Sequence, residues 1–393
     1  MHAPSIARRG ERGDRDVVTV LYRGPFQGRR LGFLLESISR VHGEVDLTWL
    51  NPRLEPGATT GWFFEWVDEW WPFVARRSEV DGNLRSLPRV VRHLRRRLGR
   101  RPDVVYAIGS LTLPYARAIA PRAFAWCING IPEERLLHDR GWRSQTAVRA
   151  EWLVTRAGRR PDVVVTVSGP MGKLIERRLP GTRWINAPTC VDLETFRPPP
   201  NVTRSRLTYV GSGAPWQCLD LLAAVWSELY RLDPSLRFRV ISRDERTRVL
   251  AAALPASVVE LRGAEVPQEV ATALWEAELG FLLRTPGIVN ETSFPTKFGE
   301  YVAAGVPVVS TDVGWDLAAM VRGTGCGVIV DWRADPSVVA RDALALRHRA
   351  TRNGGDIRRA CEEAAAMLAR ERWVEALALA LRDELAHARR RAD

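Results

Sequence analysis

The sequence predicts an α/β protein of two domains, each built on a parallel sheet with helices on its faces. Short apolar strand patterns alternate with helical patterns in both halves of the chain, as they do in parallel sheets. The segment Arg197-Pro-Pro-Pro-Asn201 between the halves has the stiffness of an extended linker. The length of 393 residues is sufficient for two domains of ordinary size.

The first domain is predicted to span residues 16–197, after a disordered tail over residues 1–15. Its opening strand, 17–21, is followed by a loop that contains Gly24 and Gly28 and then by a helix over 31–41. Further strands of this half are predicted at 44–50, 103–108, 123–128 and 162–167.

The second domain is predicted to span residues 198–370 and to repeat this alternation. The motif SFPTKFGEYVAAGVPVVST, which begins at Ser293, predicts a helix over about 295–304. Ser293 fits its cap, Pro295 its first position and Gly305 its end. A final helix is predicted over about 356–391. The segment 371–393, which contains the end of this helix, can cross back to the first domain. The strands of this half are predicted at 207–211, 236–241, 258–261, 279–283 and 306–310.

The composition narrows the functional class. The formal charge is +12, yet the arginines are spread along the whole chain, which argues against a nucleic-acid-binding arm. The five cysteines lie far apart without paired spacing, so neither a zinc site nor a disulfide framework is indicated. No apolar run reaches the roughly 18–20 residues of a membrane span, and the first residues lack the apolar core of a signal peptide. A cytoplasmic protein is therefore expected.

One charged residue of the motif indicates an anion-binding site. The chain has only two lysines, Lys173 and Lys297, and Lys297 lies in the first turn of the predicted helix over 295–304. A cation there opposes the helix dipole, which favours anions at that end. A phosphate would be held by the free backbone amides and by the lysine together. The loops Gly211-Ser-Gly213 and Ser242-Arg-Asp244 follow predicted strands and also suit a phosphate, although a tight turn explains the first loop equally well.

Several segments, in order, resemble the family-four glycosyltransferases of the GT-B fold. They are PDVVVTVS at 161–168, the linker at 186–198, YVGSG at 209–213, LRGAEV at 261–266 and, most specifically, PTKFGEYVAAGVPVV at 295–309. The resemblance covers about 160–375, whereas residues 16–160 agree with the family only in pattern. It implies two Rossmann-like domains whose parallel sheets face a central cleft, and a retaining enzyme that takes a sugar from a nucleotide diphosphate donor.

The resemblance also assigns roles to individual residues. Glu300 matches the glutamate that accepts hydrogen bonds from the ribose hydroxyls, and Lys297 lies close enough to reach the diphosphate. The family's second glutamate, eight positions earlier, is Thr292 here, so Glu291 or Asn290 is needed for the contact with the transferred sugar. The family's basic residue after Gly213 is also missing, with Arg243 or Arg284 as substitutes. The implied catalytic residues are Glu291, Thr292, Lys297 and Glu300, and the implied donor-binding residues are Gly211, Ser212, Gly213, Arg243, Arg262, Val266, Ser293, Thr296, Lys297 and Glu300.

The acceptor side is expected in the first domain, at the loop with Gly24 and Gly28. The stretch 61–73 has aromatic residues at helical spacing, which suits either core packing or contact with a membrane interface. The basic run 92–101 suits either a solvated helix face or the binding of lipid headgroups or a lipid diphosphate. The expected acceptor is a glycan, a lipid-linked sugar or a small molecule, as in polysaccharide biosynthesis.

The predicted function is metal-independent sugar transfer from a nucleotide diphosphate sugar, without a cofactor, through electrostatic support of the leaving diphosphate. A nucleotide-sugar epimerase of the same fold is an alternative, although the six histidines form no evident cluster for acid and base catalysis. A non-catalytic basic nucleic-acid-binding protein is the alternative from another class, and its binding would fall steeply with salt. The enzyme is expected in the cytoplasm or at the inner face of the cell membrane.

Overall fold

The computed structural model describes residues 16–23, 28–51, 67 and 71–392, and these form two parallel sheets. The first sheet contains β1 (Val18–Tyr22), β2 (Val45–Asn51), β3 (Val74–Asp81), β4 (Val104–Ile108), β5 (Ala123–Cys127), β6 (Val163–Thr166) and β7 (Trp184–Asn186). The second contains β8 (Arg206–Val210), β9 (Phe238–Ile241), β10 (Val259–Arg262), β11 (Ala277–Leu282), β12 (Val308–Thr311) and β13 (Gly327–Val330). Their orders are β3-β2-β1-β4-β5-β6-β7 and β10-β9-β8-β11-β12-β13.

Helices cover both sheets. Those of the first domain are Gly28–His42, Leu87–Leu98, Leu113–Ile119, Arg135–His138, Trp142–Arg156 and Gly169–Arg178. The helices that follow are Leu193–Phe196, Leu219–Leu232, Arg248–Ala252, Pro267–Trp275, Ile288–Thr292, Thr296–Ala303, Asp316–Thr324, Pro336–Arg352, Gly354–Met367 and Arg370–Ala392. Short 3-10 helices lie at Leu84–Ser86, Ser110–Thr112, Pro132–Glu134, Pro215–Gln217, Glu245–Thr247 and Ala256–Val258.

The predicted fold class is confirmed, and the apolar strands explain why. Every residue of β1, β4, β5 and β6 is buried, because helices on both faces of a parallel sheet exclude water. Each predicted strand occurs, with its ends shifted by at most two residues. Three strands were not predicted: β3 is an edge strand with four charged residues, β7 has three residues, and β13 begins at a glycine.

The prediction of one final helix is wrong, because a segment from the domain junction interrupts it. The helices Gly354–Met367 and Arg370–Ala392 are separated at Leu368 and Ala369. The Val191 amide donates to the Leu368 carbonyl over 3.0 Å, and the Arg370 amide donates to the Val191 carbonyl over 3.0 Å. Long-range hydrogen bonds replace helical ones at Leu368 and Ala369. The sequence has no proline or glycine at this position that would predict the end of a helix.

The last helix, Arg370–Ala392, packs against the first sheet rather than the second. Val374, Leu377, Leu381 and Leu385 are buried in the core that contains β1, β4 and the helix Gly28–His42. The chain therefore returns to its first domain after completing the second, and two connections join the domains.

Some sequence predictions lie outside the described residues. They concern the tail over 1–15, Gly24 in the loop after β1, and most of the aromatic stretch 61–73. Within that stretch Trp71 is described and is buried in the core of the first domain. In the described part of the chain, the helices are all too short or too polar to cross a membrane.

His42 joins three elements at the amino-terminal edge of the first sheet. Its Nε2 lies 2.9 Å from the Tyr106 hydroxyl and its Nδ1 lies 3.4 Å from a carboxylate oxygen of Asp16. Asp16 also accepts a 2.7 Å hydrogen bond from Arg389 of the last helix. Burial lowers the pKa of His42 to about 4, so its ring is neutral at pH 7. Neutral imidazole then donates to Asp16 and accepts from Tyr106.

We expect His42 to make the first domain sensitive to acid. The pKa in the folded state is about 4 against an ordinary value of 6.5, so the unfolded chain takes up the proton first as the pH falls. Stability contributed by His42 is complete above pH 6.5 and is lost towards pH 4, by about 3 kcal/mol in total. Urea unfolding of the wild type and of His42→Gln between pH 7 and pH 4 measures this difference. Parallel pH profiles of the two proteins would contradict it.

Candidate active site

The carboxyl edges of the two sheets meet at the segment 288–296. Three hydrogen bonds cross the domain boundary there. The Ser168 hydroxyl donates to the Thr292 carbonyl over 2.6 Å, and the Thr189 hydroxyl donates to the Phe294 carbonyl over 2.9 Å. The Gly169 amide donates to the Asp316 carboxylate over 2.7 Å at the start of the helix Gly169–Arg178. The segment expected to contact the donor sugar is therefore held by both domains.

Lys297 and Glu300 form an ion pair at the start of the helix Thr296–Ala303. Lys297 Nζ lies 3.0 Å from Glu300 Oε2. The Glu300 side chain is 1% exposed and that of Lys297 is 32% exposed. A buried carboxylate requires a hydrogen-bond donor or a cation beside it, and Lys297 fills this role for Glu300. A carboxylate can also accept from hydroxyl groups, and the half-buried ammonium can approach a phosphate.

The predicted start of this helix is wrong in two respects, because Ser293 is not its cap and Pro295 is not its first helical residue. Pro295 occupies the cap position, and no side chain caps the helix. The Ser293 hydroxyl instead donates to the Asn290 carbonyl over 3.0 Å, at the end of the helix Ile288–Thr292. Because no side chain caps the helix, the backbone amides of Thr296 and Lys297 in its first turn have no capping acceptor. Gly305, at φ +67°, ends the helix as predicted.

The glycine loop after β8 packs more tightly against protein atoms than its sequence indicates. A Cβ atom at Gly211 would lie 2.6 Å from the Tyr209 hydroxyl, and one at Gly213 would lie 2.3 Å from Arg246 Cβ. The Gly213 amide donates to Asp244 over 2.9 Å, and the Ser212 carbonyl accepts a 2.7 Å bond from Tyr209. Glycines are therefore required at 211 and 213 by close packing, and the Gly213 amide is already occupied.

Arg284 is the principal basic group beneath this loop. It follows β11, whose neighbour in the sheet is β8, and its residue surface is only 6% exposed. One guanidinium nitrogen donates to Asn290 Oδ1 over 3.0 Å, the Trp315 ring lies 5.6 Å from Cζ, and Nε is buried without a partner. Burial lowers the pKa of Arg284 to about 10, which leaves it charged at neutral pH. Among the described residues no carboxylate forms an ion pair with it.

The three residues before Ser293 have different environments. The Thr292 hydroxyl donates to the Ile288 carbonyl over 2.7 Å within its own helix, and its side chain is buried. Asn290 uses both ends of its amide, accepting from Arg284 and donating to the Thr285 carbonyl over 2.8 Å. Glu291 alone of these residues directs a charged group to a cavity, which lies between the domains.

The remaining predicted donor residues lie after the outer strands of the second sheet. Arg243, after β9, forms an exposed ion pair of 3.5 Å with Glu265. Arg262 ends β10, and Val266 is the 50% exposed cap residue of the helix Pro267–Trp275. Arg262 lies at the carboxyl end of its strand, and Arg243 and Val266 follow strands. Within the described part of the chain, no hydrogen bond joins any of the three to Lys297.

On the acceptor side, Gly28 begins the helix Gly28–His42. Sequence analysis missed Arg30 on this helix, whose guanidinium donates to the carbonyls of Ala187 and Pro188 over 2.9 and 3.0 Å and to Asn129 over 3.1 Å. It also missed the boundary contacts of Ser168 and Asp316. Arg284, in contrast, was named from the sequence as one of two substitutes for the basic residue after Gly213, and it ends the apolar stretch LGFLLR. The described residues contain no cluster of three His, Cys, Asp or Glu side chains suited to a metal ion.

Comparison with known proteins assigns this fold and its second domain. Residues 204–348 match the family model described as Glycosyl transferases group 1. A search of curated proteins finds no match. Sucrose-phosphate synthase from Thermosynechococcus elongatus has a similar structure, with a TM-score of 0.70, 14% identity, and coverage of 95% of this chain and 100% of that one.

Two further solved structures show the same fold. Anabaena HepE, determined in complex with UDP-glucose, has a TM-score of 0.67 and 13% identity, covering 93% of this chain and 99% of that one. A glycosyltransferase from Rickettsia africae has a TM-score of 0.67 and 11% identity, covering 95% of this chain and 99% of that one. This chain therefore has the fold of the GT-B glycosyltransferases, and its residues 204–348 match the group 1 glycosyl transferase domain.

Proposed function

We propose that the chain is a retaining glycosyltransferase that moves a sugar from a nucleotide diphosphate sugar to a glycan, lipid-linked or small-molecule acceptor. The observation that carries this proposal is the buried guanidinium of Arg284, which has no carboxylate partner among the described residues. An isolated buried charge is costly, and a bound anion at the carboxyl edge of the sheet would compensate it.

A second buried arginine of this domain, within β9, shows what a purely structural site looks like. Arg239 is 3% exposed, and its guanidinium contacts Glu260 over 2.9 Å and Glu276 over 2.6 Å. Its charge is balanced by the protein itself. Arg284 has a similar degree of burial but only a neutral amide and an aromatic ring beside it. This contrast supports a binding role for Arg284 towards phosphate.

The donor would lie with its ribose at Glu300 and its diphosphate between Arg284 and Lys297. A carboxylate accepts from two neighbouring hydroxyl groups, and two side-chain cations would neutralise charge on the leaving diphosphate as the glycosidic bond breaks. The free amides at the start of the helix Thr296–Ala303 would contribute in the same way. The proposed chemistry uses no metal or cofactor. The UDP-glucose complex of HepE supports this class of donor.

Retention of configuration is proposed from the resemblance to family-four enzymes. In such a reaction the leaving phosphate takes the acceptor proton, so no side chain of this chain is assigned as a general base. Proton NMR of the first product formed from an α-configured donor tests this assignment, because inversion would give the β anomer.

Replacing Arg284 by methionine separates a binding arginine from a structural one. We expect Arg284→Met to keep the stability of the ligand-free protein and to weaken nucleoside diphosphate binding by about ten- to hundredfold, because a charge-assisted contact is lost. Binding of the matching nucleoside should change little. Calorimetry with both ligands measures this.

The matched control is Arg239→Met. It should destabilise the fold, because Glu276 loses its ion-pair partner and Glu260 keeps only Arg206 at 3.7 Å. It should leave nucleotide affinity unchanged. Equal losses of nucleoside and nucleoside diphosphate affinity in Arg284→Met would contradict the proposed contact.

Glu300→Gln tests the ribose contact. The amide keeps one acceptor but loses the negative charge that strengthens hydroxyl contacts, so nucleoside diphosphate affinity should fall by about five- to tenfold. The same substitution should have no effect on a 2′,3′-dideoxynucleoside diphosphate, which lacks both hydroxyls. A comparable loss for the dideoxy ligand would show that Glu300 supports the loop rather than the ribose.

We also propose contact with an anionic membrane surface through the helix Leu87–Leu98. Its apolar residues Val90, Val91, Leu94 and Leu98 face the core, whereas Arg89, Arg92 and Arg96 are exposed on the other side. Among the described residues these three arginines form no ion pair. Such a surface would hold the enzyme at the inner face of the cell membrane, where lipid-linked acceptors lie.

Vesicle sedimentation tests this surface. Replacing Arg89, Arg92 and Arg96 by glutamine should weaken binding to phosphatidylserine-containing vesicles by about a hundredfold, since each arginine contributes about 1 kcal/mol. Neutral phosphatidylcholine vesicles are the control. Binding that is equal for both vesicle types would exclude this electrostatic contact.

A further inference from the structure

A cavity of about 530 Å³ lies between the domains. The helix Gly169–Arg178 forms its first-domain wall, and residues 286–292 and 312–314 form its second-domain wall. Its volume is within the roughly 300–1,000 Å³ that is typical of small-ligand sites. Glu291 and Thr292 border it, so it adjoins the segment that the family resemblance places at the transferred sugar.

The first-domain wall is cationic. Lys173 and Arg177 are four residues apart and therefore share one side of the helix Gly169–Arg178, whereas Met171, Leu174 and Ile175 are buried on the other side. Within the described ranges neither cation forms an ion pair. The next residue, Arg178, behaves differently and lies 3.4 Å from the Glu133 carboxylate. Two positive charges thus line the cavity without an ion-pair partner in the described part of the chain.

The second-domain wall supplies one available carboxylate. Asp312 accepts from the Gly314 amide over 2.9 Å and from Arg322 over 2.6 Å, so it is already engaged. Glu291 forms no ion pair in the described part of the chain. Its side chain passes over Gly314, where an added Cβ would lie 3.7 Å from Glu291 Cγ. The Glu291 carboxylate therefore remains available to accept hydrogen bonds.

Four apolar residues also line the cavity, namely Pro170, Pro286, Ile288 and Val313. Apolar walls of low dielectric constant concentrate the field of Lys173 and Arg177 within the cavity. An anion is attracted to one side, and hydroxyl groups find an acceptor on the other.

We propose that this cavity binds an anionic sugar residue of the acceptor, with its phosphate or carboxylate group at Lys173 and Arg177 and its hydroxyls at Glu291. This inference rests on the proposed transferase function. The donor diphosphate has its own cations in Arg284 and Lys297, and the cavity includes a helix of the first domain, which is the acceptor side. The acceptor class is therefore a phosphorylated or uronic-acid-containing saccharide.

The experiment measures binding of three probes, glucose 6-phosphate, glucuronate and glucose, to protein saturated with a nucleoside diphosphate. In the wild type we expect both anionic sugars, or one of them, to bind more tightly than glucose. Lys173→Gln combined with Arg177→Gln should weaken the anionic probes by about tenfold or more and leave glucose unchanged. Glu291→Gln should weaken all three probes. If glucose 6-phosphate binds more tightly than glucuronate, the acceptor carries a phosphate; the reverse order indicates a carboxylate.

Arg341→Gln is the matched control, because Arg341 is another exposed helical arginine and does not line the cavity. It should bind all probes as the wild type does. Equal binding of glucose and the anionic sugars by the wild type, or unchanged anionic binding in the double variant, would overturn the proposal. Nucleoside diphosphate binding in the same titrations is a separate readout: its absence would contradict the transferase function, whereas its presence without anion preference contradicts only the acceptor class.

Discussion

The parallel arrangement of both sheets is the constraint on which the rest of this structure depends. In a parallel sheet every strand ends at the same edge, so the loops after β8, β9, β10 and β11 gather at one place although they are far apart in sequence. The first sheet does the same with the residues after β5 and β6. When the two edges face each other, a cleft results whose walls come from loops rather than from strands.

Two buried arginines of the second domain differ in how their charge is balanced. The second domain contains two arginines of nearly equal burial, Arg239 within β9 and Arg284 just after β11, and they have different partners. Arg239 has two carboxylates, whereas Arg284 has an amide, an aromatic ring and one buried nitrogen without a partner. The charge of Arg239 is thus balanced by the protein, whereas that of Arg284 is not balanced by a carboxylate of the described residues. An uncompensated buried charge costs stability in the free protein, and the proposed binding of a diphosphate would recover that cost.

Hydrogen bonds across the domain boundary couple the segment 288–296 to both domains. Ser168 and Thr189 of the first domain hold the carbonyls of Thr292 and Phe294, and Asp316 of the second domain holds the first amide of the helix Gly169–Arg178. Val191 interrupts the final helices in a comparable way. Any relative movement of the domains would therefore displace the segment beside Lys297 and Glu300.

Local patterns in the sequence determined the fold class, the strands with continuous apolar runs, and the helix that presents Lys297 and Glu300, because periodicity and turn residues act over a few positions. They did not reveal the polar edge strand β3 or the break at Leu368, since both depend on distant backbone partners. Only the tertiary structure decided that Thr292 binds its own helix, that Asn290 is used by Arg284, and that Glu291 faces a cavity with Lys173 and Arg177. Whether a charge is balanced depends on the residues that the fold places beside it. These residues can be far apart in the sequence, so the spacing of charges along the chain does not predict their partners.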